Sequence, residues 1–217
     1  RQRQMCIRDS LWIGCYGDGL FYSKDRLKTL QPYISPVDNK ETFENDVVTT
    51  LVKGAYNCLY IGSLRGGAKE LNLTSNKLHD LLSVDENEEP VLCRNLLVAS
   101  DNELWIGAES GIYIYNLRMG KYVHLRSSIN DPYSLSDNAI YSLCKDREGG
   151  IWIGSYFGGV NYYPRFHTYF EKYYPKGTNN GLHGKRVREF CQDNQGILWI
   201  GTEDGLSLIH ISEPTRR

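Results

Sequence analysis

Apolar positions along this 217-residue chain fall into a frame that repeats five times. Its centre is a run without polar side chains: Leu11-Trp12-Ile13-Gly14, Leu59-Tyr60-Ile61-Gly62, Leu104-Trp105-Ile106-Gly107, Ile151-Trp152-Ile153-Gly154 and Leu198-Trp199-Ile200-Gly201. The aromatic residues stand at 12, 60, 105, 152 and 199, so successive copies lie 48, 45, 47 and 47 residues apart. In four copies the positions twelve, nine and eight before the aromatic residue are also apolar: Val48/Leu51/Val52, Cys93/Leu96/Leu97, Ile140/Leu143/Cys144 and Val187/Phe190/Cys191. A fixed period of this size marks a repeat architecture and governs every more local reading.

Each complete copy reads as four short strands, here A to D. In the fourth copy, residues 139–145 form strand A, 146–150 a turn, 151–155 strand B, 156–159 a second turn and 160–163 strand C. An outer strand D is expected past Pro164, around Thr168 to Tyr173. Strand B is apolar on both faces, which fits a sheet covered on both sides. The turn after strand B ends in glycine every time, at Gly19, Gly67, Gly111, Gly159 and Gly205, implying a backbone angle that a side chain would oppose. Longer links over 31–46, 83–90, 127–137 and 175–185 join strand D of one copy to strand A of the next.

A repeated four-stranded antiparallel unit of about 40 to 50 residues describes a β-propeller blade. The expected fold is therefore all-β: a partial propeller ring of about four to five four-stranded antiparallel blades, covering residues 11–34, 47–84, 91–126, 138–174 and 185–206. The first copy lacks its leading strand, because Arg3 and Gln4 stand where strand A carries apolar residues, and the last lacks strand D. Such an arc exposes sheet faces and edges where neighbours are missing. Residues 1–10 and 207–217 fall outside the frame, resemble translated sequencing-adapter sequence, and are expected to be non-native.

Composition narrows the function classes. With 25 basic and 26 acidic residues there is no polyelectrolyte signature for nucleic acid or an anionic membrane. No apolar run approaches the roughly 20 residues needed to cross a bilayer. The six cysteines show no paired zinc or redox spacing. Cys144 and Cys191 occupy the place of Val52 and Leu97 and are expected to be buried small hydrophobes. His79, His124, His167 and His183 have no metal-ligand spacing, and residues 85–89 read as a solvated acidic link lacking the spaced oxygen ligands of a calcium loop. Neither a metal nor a cofactor is expected.

Trp12, Tyr60, Trp105, Trp152 and Trp199 recur once per blade inside an apolar strand, so packing explains them better than sugar stacking does. A buried Trp removes about 150–250 Å² from water, worth up to ~4–6 kcal/mol. Ligand contacts belong on the rim where B-C turns and D-A links emerge together, since loops on a rigid scaffold are where binding usually resides. The candidates are Tyr16, Asp18, Arg65, Glu109, Tyr156, Phe157, Glu203 and Asp204. Aromatic faces beside carboxylates and an arginine suit a sugar, which presents C–H faces and hydroxyls together. The adjacent pair Tyr156-Phe157 stands out, being two bulky aromatics in a turn. No catalytic residue is assigned, because glycoside hydrolysis needs two carboxyls about 5 to 9.5 Å apart and nothing here locates such a pair.

The apolar strand, Asp-x-x-Gly-like turn, [LI]-W-I-G-[ST] box, glycine-ended turn and aromatic strand resemble the two-component regulator propeller repeat. The link Asp131-Pro132-Tyr133-Ser134-Leu135-Ser136-Asp137-Asn138 is similar to the link between blades in that family. Tyr60 in place of Trp, Cys15 and Ala108 in place of Ser or Thr, and the altered turn at 99–102 depart from the pattern. The resemblance implies a periplasmic sensor propeller, commonly seven-bladed, at the front of a membrane-anchored histidine kinase, including hybrid kinases that regulate polysaccharide use. It further implies an oligosaccharide ligand, packing against the missing blades of the parent chain, a homodimeric parent and phosphorelay signalling. This segment itself is expected to be non-enzymatic and without membrane contact. A propeller-type glycoside hydrolase or lyase and a protein-docking scaffold are the alternative readings.

Overall fold

Eighteen β-strands and no α-helix account for the regular structure of the described residues. The structure is a computed structural model that describes residues 3–7, 10–24, 28–34, 43, 45–131, 133–165, 182, 184, 186–195, 197–203 and 205–210. The strands form sequential antiparallel meanders. Blade 1 comprises β1 (Arg3–Ile7), β2 (Ser10–Gly14), β3 (Leu20–Ser23) and β4 (Gln31–Pro32). Blade 2 comprises β5 (Val48–Lys53), β6 (Cys58–Ser63), β7 (Gly67–Asn72) and β8 (Lys77–Leu82). Blade 3 comprises β9 (Cys93–Ser100), β10 (Glu103–Ala108), β11 (Gly111–Asn116) and β12 (Lys121–Leu125). Blade 4 shows β13 (Ile140–Lys145), β14 (Ile151–Ser155) and β15 (Val160–Tyr163). These four blades lie in one unit of the chain, residues 1–128 and 133–166; a second unit, 129–132 and 167–217, holds the sheet β16 (Val187–Gln192), β17 (Ile197–Thr202) and β18 (Gly205–His210). The strand D expected around 168–173 lies outside the described residues.

The apolar box resolves into two faces. Antiparallel partners share a face, so Trp105 lies beside Leu97 and Ile114, and this face packs on Ile140, Ile151, Ile153 and Tyr163 of blade 4. Tyr60 and Val52 of blade 2 meet Leu96, Leu104 and Ile106 of blade 3, and Trp12 and Tyr22 of blade 1 meet Leu51, Leu59 and Ile61 of blade 2. The box aromatic thus points to the following blade and its two aliphatic neighbours to the preceding one. The leading strands β1, β5, β9 and β13 contact one another in that order.

Two expectations are corrected here. The first blade does have a strand in the A position, since β1 pairs with β2 from Arg3↔Gly14 to Ile7↔Ser10. Backbone pairing needs no particular side chain, and the bare edge of β2 would otherwise leave a row of unpaired N–H and C=O groups. Cys144 and Cys191 are exposed, not buried. Cys144 pairs with Trp152 and shares its face with Tyr162, and no other blade of that unit covers this face. Cys58 and Cys93 are buried, and burial pushes their thiols up to about 12.

A polar clasp accompanies the box. Asp146 Oδ1 accepts the N–H groups of Glu148 and Gly150 at 3.0 and 2.8 Å, while Oδ2 accepts the Trp152 indole N–H at 3.2 Å. Asp193 repeats this with Gln195, Ile197 and the Trp199 indole at 2.9 Å. In blade 2 the box aromatic is Tyr60, which has no indole N–H, and the clasp position is Gly54, where a Cβ would lie 2.5 Å from the Tyr60 ring. Trp105 donates to Glu103 instead, at 2.7 Å. Trp12 has Cys6 six residues before it, and its buried indole N–H finds no acceptor among the described residues.

The glycine ending each B-C turn has positive φ at Gly19, Gly67, Gly111 and Gly159. At Gly67 a Cβ would also lie 2.1 Å from the Leu82 carbonyl oxygen, so strand D excludes any side chain there.

Trp105 is 1% exposed and Trp152 47% exposed. Trp105→Ala is expected to cost about 3–5 kcal/mol, and Trp152→Ala less than half as much. Urea unfolding followed by circular dichroism measures both.

Candidate functional site

The leading strand of each of four sheets carries a β-bulge at one register position. Val48 pairs with Ser63 and Thr50 with Gly62, leaving Thr49 unmatched. The same slip leaves Arg94 between Cys93 and Asn95, Tyr141 between Ile140 and Ser142, and Arg188 between Val187 and Glu189. A bulge frees one residue from the alternation of its strand and re-aims its side chain.

Opposite each bulge stands the first residue of the B-C turn, fifteen residues later: Leu64, Glu109, Tyr156 and Glu203. Their backbone N–H groups donate to the residue preceding strand A, namely Val47, Leu92, Ala139 and Arg186. This bond recurs in all four sheets, whereas the side chains across the bulge vary, with Arg–Glu occurring in two of them. Arg94 Nε donates to Glu109 Oε1 at 2.6 Å within an ion pair. Tyr141 and Tyr156 lie with ring centroids 5.0 Å apart. Arg188 pairs with Glu203, which also receives Arg186 at 2.9 Å. Thr49 Oγ1 lies 3.0 Å from the Gly62 carbonyl and 2.8 Å from that of Cys93.

Two of these matches join into one run on blades 3 and 4. The Arg94 guanidinium sits 4.9 Å from the Tyr141 ring centre, and Tyr141 donates to Glu109 Oε1 over a long 3.5 Å. Phe157 meets Tyr156 edge-on with centroids 4.4 Å apart. Tyr156 and Phe157 are 58% and 87% exposed, so aromatic surface of this run faces solvent.

Link aspartates hold the turns. Asp137 accepts the Phe157 N–H at 3.0 Å and the Ala139 N–H at 3.4 Å, and Asp46 accepts the N–H groups of Arg65 and Gly66, each at 3.0 Å. The Phe157 N–H, opposed by partial desolvation and joined by the amides of Ala139, Asn138 and Gly158, holds the Asp137 carboxyl below its ordinary value.

Of the sequence candidates, Glu109, Tyr156 and Phe157 are therefore brought together through Tyr141 and Arg94, which sequence reasoning missed. Tyr16, Asp18 and Arg65 are exposed on the B-C turns of blades 1 and 2. Glu203 belongs to the second unit with its two arginines, and Asp204 lies outside the described residues. Trp12, Tyr60 and Trp105 are buried, Trp199 is half-buried and Trp152 is half-exposed.

Among the described residues one further group gathers possible metal ligands: Asp85, Glu86 and His124, with donor atoms within 4.8 Å of one another. Asp85 already accepts the N–H groups of Asn87 and Glu89 at 2.8 and 3.1 Å and pairs with Arg126 at 3.3 Å. Glu86 accepts the Tyr122 hydroxyl at 2.9 Å. The cluster ties the link after blade 2 to strand D of blade 3 through protein partners.

Successive four-stranded meanders packed face to face, with leading strands side by side, define an arc of β-propeller blades. Residues 134–157 and 181–204 match the family model described as two component regulator propeller. Among solved structures it is similar to the extracellular domain of a hybrid two component system from B. thetaiotaomicron, with 19% identity and a TM-score of 0.58 over 97% of this chain and 27% of that one. It is also similar to the extracellular domain of a second such system from the same organism, with 21% identity and a TM-score of 0.52 over 93% of this chain and 31% of that one. The chain thus spans less than a third of the length of either neighbour. Comparison with curated proteins gives no match.

A carboxyl with a lowered folded-state pKa stabilises the fold above its unfolded value of ~3.9 and loses that contribution as pH falls through the folded value. The Asp137 carboxyl carbon is expected to titrate below ~3.9 in carbon-13 NMR, with the Phe157 amide shift following the same midpoint.

Proposed function

We propose that the chain is a segment of the extracellular sensor region of a two-component system and that it detects a saccharide through its B-C rim. The observation that carries this reading is the solvent-facing aromatic run Tyr141, Tyr156 and Phe157, flanked by Glu109 and Arg94, on a scaffold of two component regulator propeller repeats. Its neighbours being extracellular domains of hybrid two component systems supports the same reading. Tyrosine and phenylalanine offer apolar faces to sugar C–H groups, while the carboxylate and guanidinium address hydroxyls. The segment binds without chemistry of its own. Ligand shifts the parent toward one of two arrangements because it binds one of them better, and a phosphorelay in the membrane-anchored, periplasm-facing parent reads that shift. A parent that forms a homodimer, and packing of this segment against the parent's remaining blades, belong to the same proposal.

Isothermal titration of the chain with soluble plant and animal oligosaccharides is expected to give saturable binding of at least one, with the sugar recovered intact by chromatography. Cleavage of the bound sugar would replace sensing by a propeller hydrolase or lyase. Absence of any saccharide binding would remove the sensing reading and leave the protein-docking scaffold.

A further inference from the structure

We propose that the two matched pairs Arg94–Glu109 and Tyr141–Tyr156, extended by Phe157, form one subsite that takes a neutral pyranoside and rejects both anionic and cationic ligands. This rests on the saccharide reading above and deepens it by fixing the charge of the ligand and the residues that touch it.

The charge follows from what each group already holds. An anionic sugar needs a cation free to receive it, but Arg94 is committed to Glu109 in an ion pair, with Nε at 2.6 Å. A uronate or sulfate approaching Tyr141 would also meet the Glu109 carboxylate, whose Oε1 lies 3.5 Å from the Tyr141 hydroxyl. A cationic ligand would seek an aromatic face beside a carboxylate. That seat is taken, since the Arg94 guanidinium lies 4.9 Å from the Tyr141 ring centre with Glu109 beside it. A neutral ring meets neither obstacle.

The geometry then orients the ring. Phe157 stands edge-on to Tyr156, so the exposed aromatic surface has two walls at 79° to each other. A pyranoside placing its C–H face on this surface turns its equatorial hydroxyls toward the Tyr141 hydroxyl and the Glu109 carboxylate, which accept and orient them. Asp137 fixes the wall by holding the Phe157 amide at 3.0 Å. Tyr141 comes from the bulge of one blade and Glu109 from the turn of the blade before it, so a single ring touches both blades at once.

The test titrates the chain with neutral hexasaccharides of glucose, xylose and mannose, with a galacturonate hexasaccharide, and with choline. Tyr141→Ala, Phe157→Ala and Glu109→Gln are compared with Tyr56→Asn, which alters an exposed tyrosine on the opposite rim at a positive φ that Asn tolerates. Circular dichroism melts verify that each variant folds. The expected result is binding of at least one neutral hexasaccharide, weakened about tenfold by either aromatic truncation and severalfold by Glu109→Gln, with Tyr56→Asn unchanged and galacturonate and choline unbound. Tighter binding of galacturonate or choline overturns the neutral subsite. Neutral binding indifferent to the three subsite variants moves the site elsewhere while the saccharide reading stands. Failure of every saccharide to bind overturns that reading and the subsite with it.

Discussion

Strand B of an interior blade has no solvent face, and the rest of the structure follows from covering it. In β6 every residue is buried, and in β10 all but Glu103 are. Side chains alternate along a strand, so Leu59 and Ile61 must be sealed by the blade before and Tyr60 by the blade after. Stability is consequently a sum of contacts between neighbours, and a single blade has too little core to stand alone. The asymmetry of the contact also sets its direction. One large ring from each blade enters the space above two branched aliphatics of the next. Trp152 shows the same residue type where the other blades of its unit provide no cover.

A large indole brings a polar cost into that dry contact, since its N–H loses water on burial. The A-B turn settles it. Asp146 and Asp193 stand six residues before their tryptophans, close two turn amides with one carboxylate oxygen, and leave the other for the indole. Where the ring is Tyr60 the aspartate is replaced by Gly54, which gives the ring room. Turn sequence and core residue are thus matched around Tyr60, Trp152 and Trp199, and Trp12, preceded by Cys6 in place of an acid, has no acceptor for its N–H among the described residues.

The repeat frame, the sheet class and the turn glycines were legible because each rests on residue type at a fixed place: an apolar run, a period, a glycine at positive φ. Three features were not. β1 pairs through its backbone, so Arg3 and Gln4 could not announce it. Cys144 reads as apolar by analogy with Leu97, yet burial depends on what lies across the face, which no residue of strand A encodes. The bulge is a two-against-one count in the ladder and alters no side chain, so Arg94 and Tyr141 looked like ordinary strand residues. One trace of it was present. Arg94–Glu109, Tyr141–Tyr156 and Arg188–Glu203 are complementary pairs at a constant offset of fifteen, a relation that has meaning only once the bulge turns the first member toward the second.

That offset also explains how one framework accommodates different side-chain surfaces. The backbone bond from the turn residue to the residue before strand A is the same in four sheets, so the position of the pair is fixed by groups every residue possesses. The side chains above it differ, Arg–Glu in blade 3 and Tyr–Tyr in blade 4, and they also meet across blades, as Arg94 does with Tyr141. Glu109 and Glu203 are each ion-paired with arginine, and a carboxylate held in this way keeps lone pairs that accept a hydroxyl hydrogen bond. A surface of exchangeable pairs on an invariant ladder is suited to distinguishing ligands by shape and hydrogen bonding.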